Sequence, residues 1–460
     1  MRAATALLSE NLVRILRLRP RQGTAELATA LGVSSQSVRR LLGDLPEGSV
    51  LAAGRTRRAR YALRRPLRGT LTDIPVYQVD RSGSAAPLAT LALAAPQGSL
   101  MSLAEAGWPV PAVSRDGWWD GLPYPVLAIR PQGYLGRQFA RAEHRALGVA
   151  PDPEEWSDDD VVWVLSQRGA DAPGNLIVGD SAYERWLEAK VRPPAPLHER
   201  EIPVAYAARA EDAVALAGGG SSAAGEFPKF TAAREQAGAT TPHVLVKFSG
   251  AAGSAAERRW ADLLACEHLA LASSARLPGP GPARSRLLEH AGRTFIEVER
   301  FDRIGEHGRL PVCDLESLQG AFVGSRTTAW PDIAGRLQGM KLIEPDAAAA
   351  VDHLWWYGRL IANTDMHLGN LSFRVGEPLR LAPTYDMLPM MYAPLPGGEV
   401  PARDFAPALP LPAQRATWLA ACAAAIEFWS AAAADTRISE PFRDTCRRNA
   451  ESLDDIAGKV

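Results

Sequence analysis

The sequence is poor in thiols. Its four cysteines, Cys266, Cys313, Cys422 and Cys446, are scattered over 460 residues with no CxxC pair. That spacing argues against a zinc site and a disulfide framework, and fits a reducing cytoplasm. No continuous apolar segment opens the chain, and no unbroken apolar run of about 18 residues occurs, so neither a signal peptide nor a membrane span is expected. Net charge is also scarce, at −1, while 47% hydrophobic and 22% charged residues place the chain among globular proteins of several domains.

That small net charge hides an asymmetry. Residues 1–68 hold fourteen arginines against Glu10, Glu26, Asp44 and Glu47, a balance of +10, so the remainder carries −11. Within this basic head, TAELATALGVSSQSVRRLLGDL has the layout of a helix-turn-helix. Thr24 is placed to cap the first helix, and Leu27, Ala28 and Leu31 face inward. Gly32 serves the tight turn, Ser34 caps the second helix, and Val38 and Leu41 are buried. Ser35, Gln36, Ser37, Arg39 and Arg40 then face outward, residue types that contact phosphates and base edges. The following VLAAGRTRRARYALRRPLR reads as a two-stranded wing whose Arg57, Arg58 and Arg60 suit phosphate contacts. The plainer alternative is a small helical bundle with a solvated basic loop. Residues 1–68 are thus expected to form a winged helix-turn-helix domain that binds DNA.

Residues 69–200 alternate short strands with Pro and Gly breaks and contain no catalytic constellation. The acidic APDPEEWSDDD reads as a solvated loop or helix start, and RPPAPLHEREIP as a linker. A small-residue loop, LAGGGSSAAGEFPKFTA, precedes the strand-like HVLVKFSG, the amphipathic helix SAAERRWADLLACEHLALASS and the alternating strand RTFIEVERFDR. Beyond residue 311 the chain is mostly helical, and the Ala-rich ATWLAACAAAIEFWSAAAA is expected in the core.

Lys247 lies between Val246 and Phe248 on a strand, so its stem is expected to be half buried and its ammonium to need an anionic partner. A phosphate would serve, and Gly218 to Ser222 could offer amides and hydroxyls to the same group. In NTDMHLGN, Asp365 and Asn370 are five residues apart, close to the spacing by which a kinase loop places an acid near the attacking hydroxyl and an amide oxygen on magnesium. Asp386, in APTYDMLP, follows sixteen residues later as the other metal ligand. The alternative for NTDMHLGN is a polar turn held by Asx-type bonds of Asn363 and Asp365. On the kinase reading, Asn363 and His367 brace the loop.

VLVKFSG, VERFDR, NTDMHLGNLSF and LAPTYDMLP together resemble, in order, the HipA family of bacterial serine/threonine toxin kinases. GNLIVGD, RPQGYLGRQFA and the fused head are similar to its YjjJ-like branch. The resemblance implies an α+β, diverged protein-kinase-like (HipA-like) two-lobed fold preceded by a winged helix-turn-helix domain. The expected pieces are 1–68, the head; 69–200, a β-rich subdomain; 201–310, an N-lobe with the phosphate loop; and 311–460, a helical C-lobe. It implies ATP and Mg2+ as cofactors, Lys247, Gly220, Ser221, Ser222, Glu299 and Phe301 at the nucleotide, Asp365 as the catalytic acid, and Asn370 and Asp386 on the metal. Ser221 and Ser222 become candidates for inhibitory autophosphorylation. The acceptor would be a protein hydroxyl, with a translation factor or aminoacyl-tRNA synthetase as the implied class of substrate. A homodimer is compatible with this reading, and a membrane partner is not expected.

Two departures stand out. Phe227 occupies a position where the family usually has Gln, and a DNA-binding module is fused in the same chain where better-known members rely on a separate DNA-binding antitoxin. The glutamate partner of Lys247 is left open between Glu257 and Glu267. The competing function is a DNA-binding regulator whose kinase-like body senses nucleotide without transferring phosphate. A small-molecule kinase is a third reading.

Overall fold

A computed structural model of the chain describes residues 2–104, 106–216, 227–235, 238–251 and 253–460, the side chains of 2–4 and 57 excepted. The loop residues Gly220, Ser221 and Ser222 lie outside the described residues. Two compact units are present: Met1–Val79 with Ala85–Arg130 and Trp156–Val191, and Asp80–Ser84 with Pro131–Glu155 and Arg192–Val460.

In the first unit, helices Arg2–Leu18, Thr24–Leu31 and Ser35–Gly43 precede a hairpin of Val50–Ala53 and Arg60–Leu63. Leu12, Leu16, Leu27, Val38 and Leu41 form the buried centre of this region. Gly32 takes φ 65°, a left-handed turn that a side chain disfavours. Ser34 caps the next helix by accepting the Ser37 N–H at 3.1 Å. Thr24 does not cap its helix as expected. Gly23 holds that place, and the Glu26 carboxylate reaches back to the Gly23 N–H at 2.6 Å.

A five-stranded antiparallel sheet follows, ordered Trp118–Trp119, Ser99–Leu100, Ala85–Leu93, Ile74–Val79, Leu176–Val178. The acidic run is a helix start and not a solvated loop. Ser157 caps helix Asp158–Arg168 in a reciprocal capping box with Asp160, and Asp159 and Asp160 accept hydrogen bonds from arginines.

The second unit is built on an antiparallel sheet ordered Ser285–His290, Arg293–Glu299, His243–Phe248, Lys229–Ala233. Side chains alternate across a strand. Val244, Val246 and Phe248 therefore share one face, where they meet Ile202, Tyr206 and Ala210 of helix Ile202–Leu216. Leu245 and Lys247 point to the other, toward helix Ala255–Ser274, which carries Glu267.

Helices Trp330–Gly339, Pro345–Leu360, Arg415–Ala434 and Glu440–Ala457 make up most of the rest, with a small sheet ordered Val312–Asp314, Ser372–Arg374, Arg380–Leu381. Pro412–Ala434 is long and apolar enough to cross a membrane by length and composition alone, a test that a buried core helix also passes. Its alanines raise the mean hydropathy although no unbroken apolar run of about 18 residues exists. It packs against helices Ala255–Ser274, Pro345–Leu360 and Glu440–Ala457. Trp418, Phe428 and Trp429 on it are fully buried, each worth roughly 1.5–3 kcal/mol or more of transfer free energy.

Candidate active site

Lys247 is buried, with 3% of its side chain exposed, and not half buried as its strand position suggested. The cost of burying an ammonium is met by carboxylates. Its Nζ donates to Glu267 Oε1 at 2.7 Å and Oε2 at 2.9 Å, and to Asp386 Oδ1. All three ammonium hydrogens have acceptors.

Glu267, and not Glu257, is therefore the lysine's partner. Glu257 is committed elsewhere, to the capping box of Ser254 at the start of the same helix. The motif Ser254-Ala-Ala-Glu257 already carries that assignment, since Ser followed three residues later by Glu is the capping-box pattern.

Asp386 lies in the loop after strand Arg380–Leu381, in the left-handed backbone region at φ 54°. Ala362, just before NTDMHLGN, is also left-handed at φ 58°. Non-glycine residues held there mark backbone strain beside both motifs. Hydrogen bonds connect the two. Asn363 Nδ2 donates to the Asp386 carbonyl at 3.3 Å, and Asn363 Oδ1 accepts the Asp365 N–H at 3.0 Å. Asn370 Nδ2 donates to the Asp365 carbonyl at 2.7 Å. An unbroken series of contacts thus runs Glu267, Lys247, Asp386, Asn363, Asp365, Asn370.

His367 caps a short turn, its Nδ1 accepting the Gly369 N–H at 3.1 Å, while the Trp330 indole donates to the His367 carbonyl. The side chain of Asp365 is exposed, and those of Asn363 and Asn370 are buried. The Asx-type bond of the polar-turn alternative is thus present, within a loop that also meets Asp386.

Burial pushes the Asp386 carboxyl upward, but Lys247, Lys229 and His367 outweigh it and hold its pKa down at about 2. Burial raises Glu267, and Lys247 opposes that shift only partly. Burial opposes the charge on Lys247, yet Asp386 and Glu267 raise its pKa well above the usual ammonium value. Lys229 is a contributor that sequence reasoning missed. It stands directly opposite Lys247 in strand register, a position set by pairing between strands and invisible in either strand alone.

The donor set fits a hard divalent cation. Asn370 spends its amide nitrogen on the Asp365 carbonyl, so its amide oxygen is the atom that would ligate, and Asp386 is kept ionised. Mg2+ takes such oxygens, two from the protein and the rest from phosphates and water.

At the far end of the sheet, the Glu299 N–H donates to the Arg284 carbonyl at 2.8 Å and the Arg300 N–H to the His243 carbonyl at 3.0 Å. Glu299 and Phe301 line a cavity of about 340 Å³ with Arg284 and Arg374. The Phe301 ring lies 5.4 Å from that of Tyr385, whose hydroxyl donates to the Gly369 carbonyl at 2.6 Å. Tyr385 therefore joins Phe301 to the NTDMHLGN loop, a role not assigned to it from the sequence. Phe227, at the Gln position, packs edge-on against Trp260 and faces the Lys247 ammonium at 5.9 Å.

A family model described as the HipA-like C-terminal domain matches residues 221–453, and one described as the YjjJ-like toxin middle domain matches 70–187. The chain belongs to the HipA family, in its YjjJ-like branch. It is 38% identical over 447 residues to Toxin YjjJ of Escherichia coli K12, covering 97% of this chain and 98% of the relative. Among solved structures, a Shewanella oneidensis MR-1 complex of HipA, HipB and operator DNA matches with a TM-score of 0.50 at 15% identity, covering 84% of this chain and 97% of the other. At that identity the likeness concerns the fold, a HipA-like α+β arrangement. The matched C-terminal domain contains Lys247, Glu267, the NTDMHLGN loop and Asp386.

Proposed function

We propose that this HipA-family chain is an ATP-dependent serine/threonine protein kinase of the toxin type, with a winged helix-turn-helix head that binds DNA for autoregulation. The observation that carries the kinase reading is the connected series from Glu267 through Lys247 and Asp386 to Asp365 and Asn370. Those are the types phosphoryl transfer requires: an ammonium for phosphate oxygens, two oxygen ligands for Mg2+, and an acid for the acceptor hydroxyl.

Each residue then has a task. Lys247 exchanges its Asp386 contact for nucleotide phosphate while Glu267 holds the ammonium in place. Asn370 and Asp386 hold Mg2+, which neutralises phosphate charge when bound. Asp365 orients the attacking hydroxyl and accepts its proton, contributing position more than basicity. Phe301 and the backbone from Glu299 receive the adenine. Ser221 or Ser222 is the proposed site of inhibitory autophosphorylation.

The acceptor is a protein hydroxyl, with a translation factor or aminoacyl-tRNA synthetase as the class suggested by the family. A cytoplasmic location and a homodimer belong to the same proposal. Ser35, Gln36, Arg39, Arg40 and Arg58 are exposed and suited to DNA, with Arg57 added from the sequence. Arg60 is less suited, because it is ion-paired with Glu26.

Incubation with Mg-ATP and radiolabelled γ-phosphate tests the kinase. Label incorporated by the native chain and lost in Asp365→Asn supports it. Nucleotide binding without any transfer favours the DNA-binding nucleotide sensor instead.

A further inference from the structure

Not all of the basic head faces outward. Arg21 Nη1 lies 2.7 Å from Asp120, Arg64 Nη1 2.7 Å from Asp73, and Arg68 Nη2 2.6 Å from Asp160. Arg65 grips Asp159 through Nε at 3.0 and 3.1 Å and Nη2 at 2.7 Å. Further contacts hold the same guanidinium groups. Arg65 donates to the carbonyls of Ala94 and Pro96, and Arg21 to that of Trp119. Arg21 also lies 5.8 Å from the Trp118 ring, and Arg68 5.9 Å from that of Trp163.

All these partners belong to the same compact unit as the head. The Arg65–Asp159 pair is forked, the strong, directional form of guanidinium–carboxylate pairing, and the other three pairs are single-point. Exposure decides what these arginines can reach. The side chains of Arg64 and Arg65 are only 12% and 17% exposed, which leaves little surface for a phosphate, whereas those of Arg21 and Arg68 are 27% and 38% exposed and are committed by their pairing and ring contacts instead. By contrast, Arg39, Arg40, Arg55 and Arg58 are exposed and have no carboxylate partner among the described residues.

We infer that Asp73, Asp120, Asp159 and Asp160 form an acidic mounting surface for the head. Arg21, Arg64, Arg65 and Arg68 are then a fixed joint, and contact with duplex phosphates falls to Arg39, Arg40, Arg55 and Arg58. The inference rests on the reading of the head as DNA-binding and deepens it. A duplex is held at a set attitude to the middle domain, as it would not be by a head on a loose tether. The acidic run Asp158–Asp160 thereby gains a function.

Two measurements on the full chain separate the joint from the DNA reading. The first is the dependence of duplex affinity on salt, in which each lost phosphate contact lowers the slope by about 0.9. Arg39→Ala with Arg40→Ala is expected to lower it by about 2, and Arg65→Ala with Arg68→Ala to leave it unchanged. An equal fall in both double variants would overturn the inference. The second is amide exchange at residues 60–70 without DNA. Asp159→Asn with Asp160→Asn should speed it by at least about tenfold, and the swap Arg65→Asp with Asp159→Arg should restore much of the protection. Unchanged exchange would also overturn the joint. Absence of any salt-dependent duplex binding by the native chain removes the DNA reading, and exchange then decides the joint alone.

Discussion

Lys247 and Glu267 are locked in a buried two-point contact, with the ammonium 2.7 and 2.9 Å from the two carboxylate oxygens. Neither side chain exposes more than 3% of its surface. Removing one member leaves a buried charge without its main partner, which costs about 3–5 kcal/mol. Glu267→Ala should therefore shift the denaturation midpoint by an amount of that order and weaken ATP binding, whereas Glu257→Ala should cost only about 1 kcal/mol, the size of a lost cap. Equal effects in the two variants would refute the pairing as functional.

Asp386 gives stability a pH signature. Its folded pKa of about 2 lies below the ordinary value of 3.8. The stability it contributes is therefore present above pH 3.8 and is lost as pH falls toward 2. Linkage puts that loss at roughly 2 kcal/mol. Glu267 works in the opposite sense, because its raised pKa makes its contribution largest below 4.5 and smaller as pH rises through the folded value. Unfolding free energy followed from pH 5 to pH 2 should show a component that disappears in Asp386→Asn. An identical pH profile in the variant would contradict the assignment.

The four chemical types were legible in the sequence because the short spacing from Asp365 to Asn370 and the order of Lys247 before and Asp386 after them are local or ordinal features. What escaped was set by distance and rotation. The choice between Glu257 and Glu267 turns on which side of one helix faces the strand, and Tyr385 acquires its role only when two loops meet. Three of the four arginine pairings join residues more than ninety positions apart, as in Arg65 with Asp159, so neither the basic run nor the acidic run could show its partner in the sequence. Local helix signals fared better, as Ser34 and Gly32 illustrate, although Gly23 and not Thr24 occupies the first helix's cap position.

Lys229 should tune nucleotide affinity without being essential. It adds positive potential at both Asp386 and Glu267 from the strand beside Lys247. Lys229→Ala is expected to raise KM for ATP by roughly 5- to 10-fold, a loss near 1 kcal/mol of charge interaction, with kcat little changed. A fall in kcat at constant KM would place Lys229 in a different role.

Asp262 is expected to act as a positioning residue. It sits on the helix that carries Glu267 and accepts the Ser439 N–H at 2.7 Å and hydroxyl at 2.6 Å, tying that helix to the start of helix Glu440–Ala457. Ser439→Ala removes one of these bonds at about 1 kcal/mol. Asp262→Asn should raise KM for ATP more than it lowers the thermal midpoint would explain, and excess Mg-ATP should recover most of the rate. Loss of stability with unchanged kinetics would make Asp262 purely structural.

The proposed phosphoryl transfer requires Asp365 acting within the Lys247, Asn370 and Asp386 set. Intact-mass and peptide mass spectrometry of the native chain and Asp365→Asn, each incubated with Mg-ATP, tests it most directly. Phosphate is expected on the native chain at Ser221 or Ser222, with a decrease of about 10²–10⁴-fold in its rate of appearance in the variant and both chains equally folded. Phosphate appearing at the same rate on both would contradict it.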